Sequence, residues 1–217
     1  MRTIDPVRSA GLVTREIRTG SREGRPTKIA IARRRYAAER PDVWDALTNA
    51  ERIPRWFLPV SGDLAVGGRY QLEGNAGGVV ESCEQPESFV VTWEFGGMVS
   101  WLRVHLSEDG GGTALELVHE AHVDPDLWAQ FGPGAVGVGW DLALFGLDQH
   151  IASGATVDQA EAAAWLVSPE GVEFAQLCSE GWAQAAIGDG DEPEQARAAA
   201  ERTVAFYTTP PEATPES

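Results

Sequence analysis

The sequence lacks several features that would assign a function class at once. Its two cysteines, Cys83 and Cys178, are far apart and neither belongs to a C-x-x-C motif. This leaves their pairing open and is typical of a reduced, cytoplasmic protein. No apolar run approaches the roughly 18 residues that cross a bilayer, and the N-terminus has no apolar signal-peptide core. We therefore expect a cytoplasmic protein rather than a disulfide-rich secreted or membrane protein.

Basic residues are scarce outside the N-terminal region. Of the 17 Arg and Lys residues, ten lie within residues 1–36 beside three acidic residues, so this segment carries +7 and the rest of the chain −23. Because an acidic body repels nucleic acid and anionic lipid, neither a nucleic-acid nor a membrane partner is expected. The basic segment could bind a polyanion, but pairing with the protein's own acidic surface is the favoured interpretation.

The predicted elements follow the order strand, short helices, strands and long helix. Residues 12–36 alternate like two strands of a hairpin, and residues 60–121 show turn glycines about every ten residues, as in an antiparallel meander. Apolar residues then recur at helical spacing on one face of a long helix: Val136, Trp140, Leu144, Leu147 and Ile151. A long helix against a curved antiparallel sheet buries both apolar faces, which predicts an α+β fold.

Composition divides the chain into four predicted regions. Residues 1–26 form a basic arm with an extra strand, and residues 27–153 form the main domain. Residues 154–208 follow as an acidic helical extension, and residues 209–217 are expected to be disordered. The stretch 154–217 carries twelve acidic residues and two arginines.

The segment GPGAVGVGW, residues 132–140, matches the dinucleotide-binding pattern G-x-G-x-x-G. That fingerprint follows a parallel strand in a βαβ unit, whereas the preceding segment here is loop or helix. Gly134, Gly137 and Gly139 are therefore interpreted as small residues that let the helix start approach the sheet or a cavity mouth. A weaker alternative is that the free amides of this helix start attract a ligand carboxylate.

His119 and His122 raise the question of a metal site. Residues three apart on a strand face opposite ways, and H-E-A-H lacks the spacing of a zinc-binding helix, so neither a metal nor a cofactor is expected. His119 shares an inward face with Leu115 and Leu117. It is predicted to be either a hydrogen-bonded core residue or a polar anchor on a cavity wall.

Five strings resemble, in the same order, those of a known superfamily. They are VWDALTNAERIPRWF (43–57), GDLAVGGRYQL (62–72), ESCEQPESFVVTWEF (81–95), GGTALELVHE (111–120) and GWDLALFGLDQHI (139–151). The superfamily is the SRPBCC group, also called START-like or birch-pollen-allergen-like. Within it, the sequence is most similar to homologues of the C-terminal domain of the activator of Hsp90 ATPase. The resemblance covers about residues 27–153.

The resemblance implies a helix-grip fold, in which a seven-stranded antiparallel sheet wraps a long C-terminal helix and encloses an often apolar cavity. A C-terminal helical extension is added here. The resemblance also implies ligand binding and, in some members, catalysis, as in polyketide cyclases and aromatases. Because one fold hosts many functions, it does not imply a single activity.

Bulky residues on the inward faces, and near the start of the long helix, are the candidates for a ligand-binding cavity wall. They are Trp56, Phe57, Tyr70, Leu72, Trp93, Phe95, Leu102, Val104, Leu117, His119, Trp128, Phe131, Trp140 and Leu144. Any one of them could simply fill a core, but eight tryptophans in 217 residues favour a partly hollow interior. A cavity below about 200 Å³, well under the usual range for ligand pockets, would count against this interpretation.

The expected function is binding of a small apolar or aromatic molecule whose identity is unknown. One alternative is a cyclase- or aromatase-like enzyme for a polyketide-type substrate, which needs polar side chains converging in the cavity. Another is a chaperone-associated or homodimeric interaction protein that uses the acidic tail. No catalytic residue is assigned, because the sequence shows no G-x-S-x-G motif, activated Cys–His arrangement or P-loop.

Overall fold

Eight antiparallel strands form one sheet in a computed structural model that describes residues 5–209. The strands are β1 (Val13–Arg22), β2 (Arg25–Tyr36), β3 (Val60–Gly62), β4 (Arg69–Leu72), β5 (Gly77–Glu84), β6 (Ser88–Phe95), β7 (Met98–Asp109) and β8 (Gly112–His122). Their order across the sheet is β1-β2-β8-β7-β6-β5-β4-β3. The first strand is therefore one edge of the sheet, and the three-residue β3 is the other.

Seven helices accompany the sheet in the described chain. They are α1 (Pro6–Gly11), α2 (Arg40–Thr48), α3 (Pro125–Phe131), α4 (Gly134–Ser153), α5 (Gln159–Leu166), α6 (Pro169–Gly188) and α7 (Pro193–Thr208), with a 3-10 turn at Ile53–Arg55. Local chemistry sets several of their ends. Gly154 ends α4 in the left-handed conformation, with φ 67°, and the Ser168 side chain accepts a hydrogen bond from Gly171 N at the start of α6.

The predicted α+β helix-grip fold is confirmed, with one strand more than the seven of the family pattern. The added strand is β1 of the basic arm, which pairs antiparallel with β2 along its whole length. The short helix α1 was not predicted. Residues 210–217 of the predicted disordered tail lie outside the described residues.

Helix α4 lies between the sheet and the C-terminal helices. Trp140, Leu144 and Leu147 belong to the central core shared with the strands, together with Phe145. The Phe145 ring stacks on Trp165 of α5, 5.6 Å between centroids. Because one helix contributes to both contacts, the C-terminal extension shares its hydrophobic core with the grip fold.

The glycines near the start of α4 pack closely, but not against the sheet or a cavity mouth as predicted. A Cβ atom at Gly137 would overlap the Trp182 indole of α6, and one at Gly134 would lie 2.7 Å from Thr203 Oγ1 of α7. A Cβ atom at Gly139 would lie 3.0 Å from the Tyr207 hydroxyl oxygen of α7. The reason is that these glycines face the C-terminal extension, whose helices need a flat surface on α4.

Basic residues of the arm and of β2 pair with acidic residues of the same chain. Arg15 forms an ion pair with Asp141 of α4 at 3.0 Å, with side chains 8% and 0% exposed. Trp182 Nε1 donates a further hydrogen bond, 2.9 Å long, to Asp141. Lys28 Nζ lies 2.6 Å from Asp189 Oδ2 in the loop after α6. Charge-assisted contacts thus join the arm and α6 through Asp141 of α4, and join β2 to the loop after α6.

Within residues 5–209, no helix has both the length and the apolar character needed to cross a bilayer.

Candidate functional site

A cavity of about 170 Å³ lies between α4 and the inner face of the sheet. Strands β3 to β8 supply most of its wall, α4 covers it, and the end of α2 with the 3-10 turn closes one side. The lining residues are Leu47, Thr48, Ile53, Trp56, Phe57, Val60, Leu64, Tyr70, Leu72, Val80, Cys83, Phe89, Val91, Trp93, Leu102, Val104, Leu115, Leu117, Trp140, Ala143, Leu144 and Leu147. None of them carries a formal charge at neutral pH.

Ten of the fourteen candidate residues lie on this wall. They are Trp56, Phe57, Tyr70, Leu72, Trp93, Leu102, Val104, Leu117, Trp140 and Leu144. The alternation of each strand directs one of its faces to the cavity, and the stripe on α4 supplies the opposing side. Whether these side chains contact a ligand stays a prediction.

Three other aromatic candidates lie away from the cavity. Phe95 ends β6 at the tip of the hairpin to β7 and is 55% exposed, because the strand continues past the reach of α4. Trp128 donates through Nε1 to Asp191 Oδ2 at 2.7 Å, and the Phe131 ring packs on Phe206, 5.5 Å between centroids. Both residues of α3 therefore join the extension rather than the cavity.

Three polar side chains of the wall are already hydrogen-bonded to the protein. Trp56 Nε1 donates to Ala46 O at 2.8 Å, and the Tyr70 hydroxyl donates to Thr92 O at 2.8 Å. Thr48 Oγ1 donates to the carbonyl one turn earlier in α2, also at 2.8 Å. Burial raises the pKa of Tyr70, and nearby Glu94 adds to the increase. The Tyr70 hydroxyl therefore stays neutral and donates its hydrogen bond to the Thr92 carbonyl.

His119, the fourteenth candidate, lies behind the wall rather than on it. Trp140 Nε1 donates to His119 Nδ1 at 3.0 Å, and His119 Nε2 lies 2.7 Å from Ser100 Oγ. Ser100 Oγ donates to the Trp93 carbonyl at 3.0 Å. The His119 residue is only 6% exposed, and burial lowers the pKa of its ring to about 4. Of the two predictions for His119, the hydrogen-bonded core residue matches this geometry and the wall anchor does not.

One residue of the cavity wall, Cys83 of β5, is exposed at the surface. By contrast, Cys178 is buried in α6. Phe57, Leu64 and Phe89 line the same cavity and are half-buried. These residues are the part of the wall closest to solvent.

Twelve wall residues were not predicted, and some of them carried a signal. Val91 shares a strand face with Trp93, Leu115 lies two residues before Leu117, and Leu147 lies on the apolar stripe of α4. Leu64 and Cys83 carried none. Leu64 lies in the loop between β3 and β4. Cys83 is an exposed residue, and its place beside the cavity depends on the pairing of β5 with β6.

The fold and the cavity define a helix-grip protein of the START-like, or SRPBCC, class. A family model described as Activator of Hsp90 ATPase homolog 1-like protein matches residues 37–152, more than half of the chain. The chain belongs to this family, as the resemblance had implied. No curated protein matches the chain.

Three solved structures extend the comparison. The crystal structure of CalU16 from Micromonospora echinospora is 33% identical, with a TM-score of 0.65, over 81% of this chain and 98% of CalU16. Its solution structure gives a TM-score of 0.69 at 33% identity, over 82% and 97%. DynU16, of the dynemicin biosynthetic locus, is 17% identical, with a TM-score of 0.52, over 59% of this chain and 48% of its own. That last likeness concerns the fold alone.

Proposed function

We propose that the protein binds a small, neutral, apolar or aromatic molecule in the cavity between the sheet and α4. The observation that carries this proposal is the composition of the wall. Most of its side chains are aliphatic or aromatic and none carries a formal charge, and the polar groups of Thr48, Trp56 and Tyr70 are hydrogen-bonded within the protein. A charged ligand would lose its hydration without compensation there, whereas an apolar one would gain from burial.

The volume limits the size of the ligand. About 170 Å³ is below the roughly 300–1,000 Å³ of ordinary ligand pockets, and it is also below the limit of about 200 Å³ under which a cavity counts against binding of a ligand of ordinary size. It is close to the roughly 150 Å³ of an engineered apolar cavity, in an unrelated protein, that binds benzene. The ligand class is therefore single-ring aromatic molecules or branched aliphatic molecules of similar size, and a larger ligand requires the wall to move.

The composition of the wall and the small volume of the cavity also favour binding over the cyclase alternative. A polyketide-type substrate exceeds this volume, and the titratable side chains on the described wall are Tyr70 and Cys83. The Tyr70 hydroxyl already donates its hydrogen bond to the Thr92 carbonyl. A proton-transfer reaction needs an acid or base free to reach the substrate, and these residues do not form such a pair.

A cavity-filling substitution tests the proposal. Ala143 of α4 lines the cavity, so Ala143→Phe should occupy the space and weaken binding of ethynylbenzene, a neutral single-ring probe, at least about tenfold. The matched control is Ala152→Phe, the same change on the exposed side of the same helix, which should bind like the wild type. Isothermal titration calorimetry measures both affinities.

Cys83 supplies an independent readout of occupancy. Because Cys83 is exposed at the cavity while Cys178 is buried, a thiol reagent should modify Cys83 first in the folded protein. Saturating ethynylbenzene should slow this modification in the wild type and leave it unchanged in Ala143→Phe. Equal titration curves for wild type and Ala143→Phe would contradict the proposed site.

A further inference from the structure

The hydrogen bonds around His119 have a defined direction. An indole N–H can only donate, so His119 Nδ1 is the unprotonated nitrogen that accepts the hydrogen bond from Trp140 Nε1. His119 Nε2 then carries the ring proton and donates to Ser100 Oγ. Ser100 in turn donates to the carbonyl of Trp93. The chain of bonds requires a neutral imidazole, in agreement with the burial that lowers the pKa of His119 to about 4.

This arrangement decides which atoms of Trp140 a ligand can use. Trp140 and Trp93 both line the cavity, with ring centroids 5.0 Å apart in an edge-to-face arrangement. The N–H of Trp140 is the polar hydrogen of its ring, and it is bound to His119, which does not line the cavity. A molecule inside the cavity therefore meets the carbon surface of Trp140.

We propose that His119 is a specificity-determining residue, which disfavours ligands with a hydrogen-bond acceptor beside Trp140 by holding the Trp140 indole N–H away from the cavity. The inference rests on the proposed function, since it needs a ligand in the cavity. His119 touches no ligand in this account and acts by positioning Trp140. An acceptor atom that enters the cavity loses water and finds no donor at Trp140, which lowers its affinity relative to an apolar isostere.

Two isosteric probes test the inference in the full-length protein. Ethynylbenzene and benzonitrile have nearly the same shape, but only benzonitrile carries a nitrogen acceptor. Wild type should bind ethynylbenzene more tightly. His119→Ala frees the Trp140 N–H and opens space beside it, so the ratio of the two affinities should move about tenfold toward benzonitrile. His119→Gln keeps one acceptor and one donor, so it should retain the wild-type ratio.

The outcomes separate the two proposals. If both probes bind but His119→Ala keeps the wild-type ratio, the inference on His119 is overturned and the proposed function stands. If neither probe binds the wild type, both are overturned.

A measurement on the wild type covers the case in which His119→Ala does not fold. The indole ¹H–¹⁵N resonance of Trp140 should shift equally with the two probes, because the Trp140 N–H stays hydrogen-bonded to His119. A larger downfield shift with benzonitrile would show a bond from Trp140 to the ligand and overturn the inference.

Discussion

At the scale of single residues, His119 links the cavity to the pH dependence of stability. Burial lowers the pKa of His119 to about 4 from its ordinary 6.5. Between these two pH values, His119 is protonated in the unfolded chain and neutral in the folded chain. The stabilisation from a neutral His119 is fully present above about pH 6.5 and is lost as the pH falls toward about 4.

We expect His119 alone to lower the free energy of unfolding by about 2 kcal/mol between about pH 7 and pH 5. Urea denaturation at both pH values measures the change, and His119→Gln, which cannot titrate, serves as the control for all other groups. The wild type should lose more stability than His119→Gln over this interval. Parallel losses in the two proteins would contradict a buried, neutral His119.

At the scale of elements, the glycines of α4 that contact α6 and α7, which are Gly134, Gly137 and Gly139, determine how the extension packs. Alanine normally favours a helix over glycine by about 1 kcal/mol, so Gly137→Ala would stabilise an isolated α4. In the protein the new methyl group would overlap the buried Trp182 indole. We expect Gly137→Ala to destabilise the protein by about 2 kcal/mol, because α6 must move away from α4.

Gly188→Ala is the matched control for this prediction. Gly188 is the last residue of α6, and nothing lies within 4 Å of a Cβ atom built there, so the same substitution should leave the free energy of unfolding within about 0.5 kcal/mol of the wild type. Chemical denaturation compares the two variants. If Gly137→Ala matched Gly188→Ala, the close packing of α4 on α6 would not govern stability.

At the scale of the whole molecule, the extension and the grip fold share one core. Phe174, Cys178 and Trp182 of α6 belong to the same buried cluster as Trp140 and Leu144 of α4. We therefore predict a single cooperative unfolding transition rather than separate loss of the C-terminal helices. Native-state hydrogen exchange should give the innermost amides of α6 the same opening free energy as those of β7. A lower value confined to α6 and α7 would indicate a separate unit.

Sequence patterns predicted the parts of the fold that rest on local periodicity. The long helix, the meander and the inward faces of Tyr70, Trp93 and Leu117 all follow from spacing within one element. The patterns failed where partners are distant along the chain. Trp128 is held by Asp191, 63 residues later, and the role of Gly137 depends on Trp182. No spacing within one segment encodes such contacts, so the cavity role predicted for Trp128 and the cavity-mouth role predicted for Gly137 do not match the contacts that these residues make.

The edge strand β1 also bears on strand-to-strand association between chains. A ten-residue strand at a sheet edge offers free amides to which a strand of another chain can add, and such addition starts fibre growth. Here the Asp189 side chain accepts hydrogen bonds from Thr19 N and Thr19 Oγ1, at 3.1 and 2.7 Å. The other edge, β3, is only three residues long. The acidic loop after α6 thus places a charged cap on the longer edge and disfavours aggregation there.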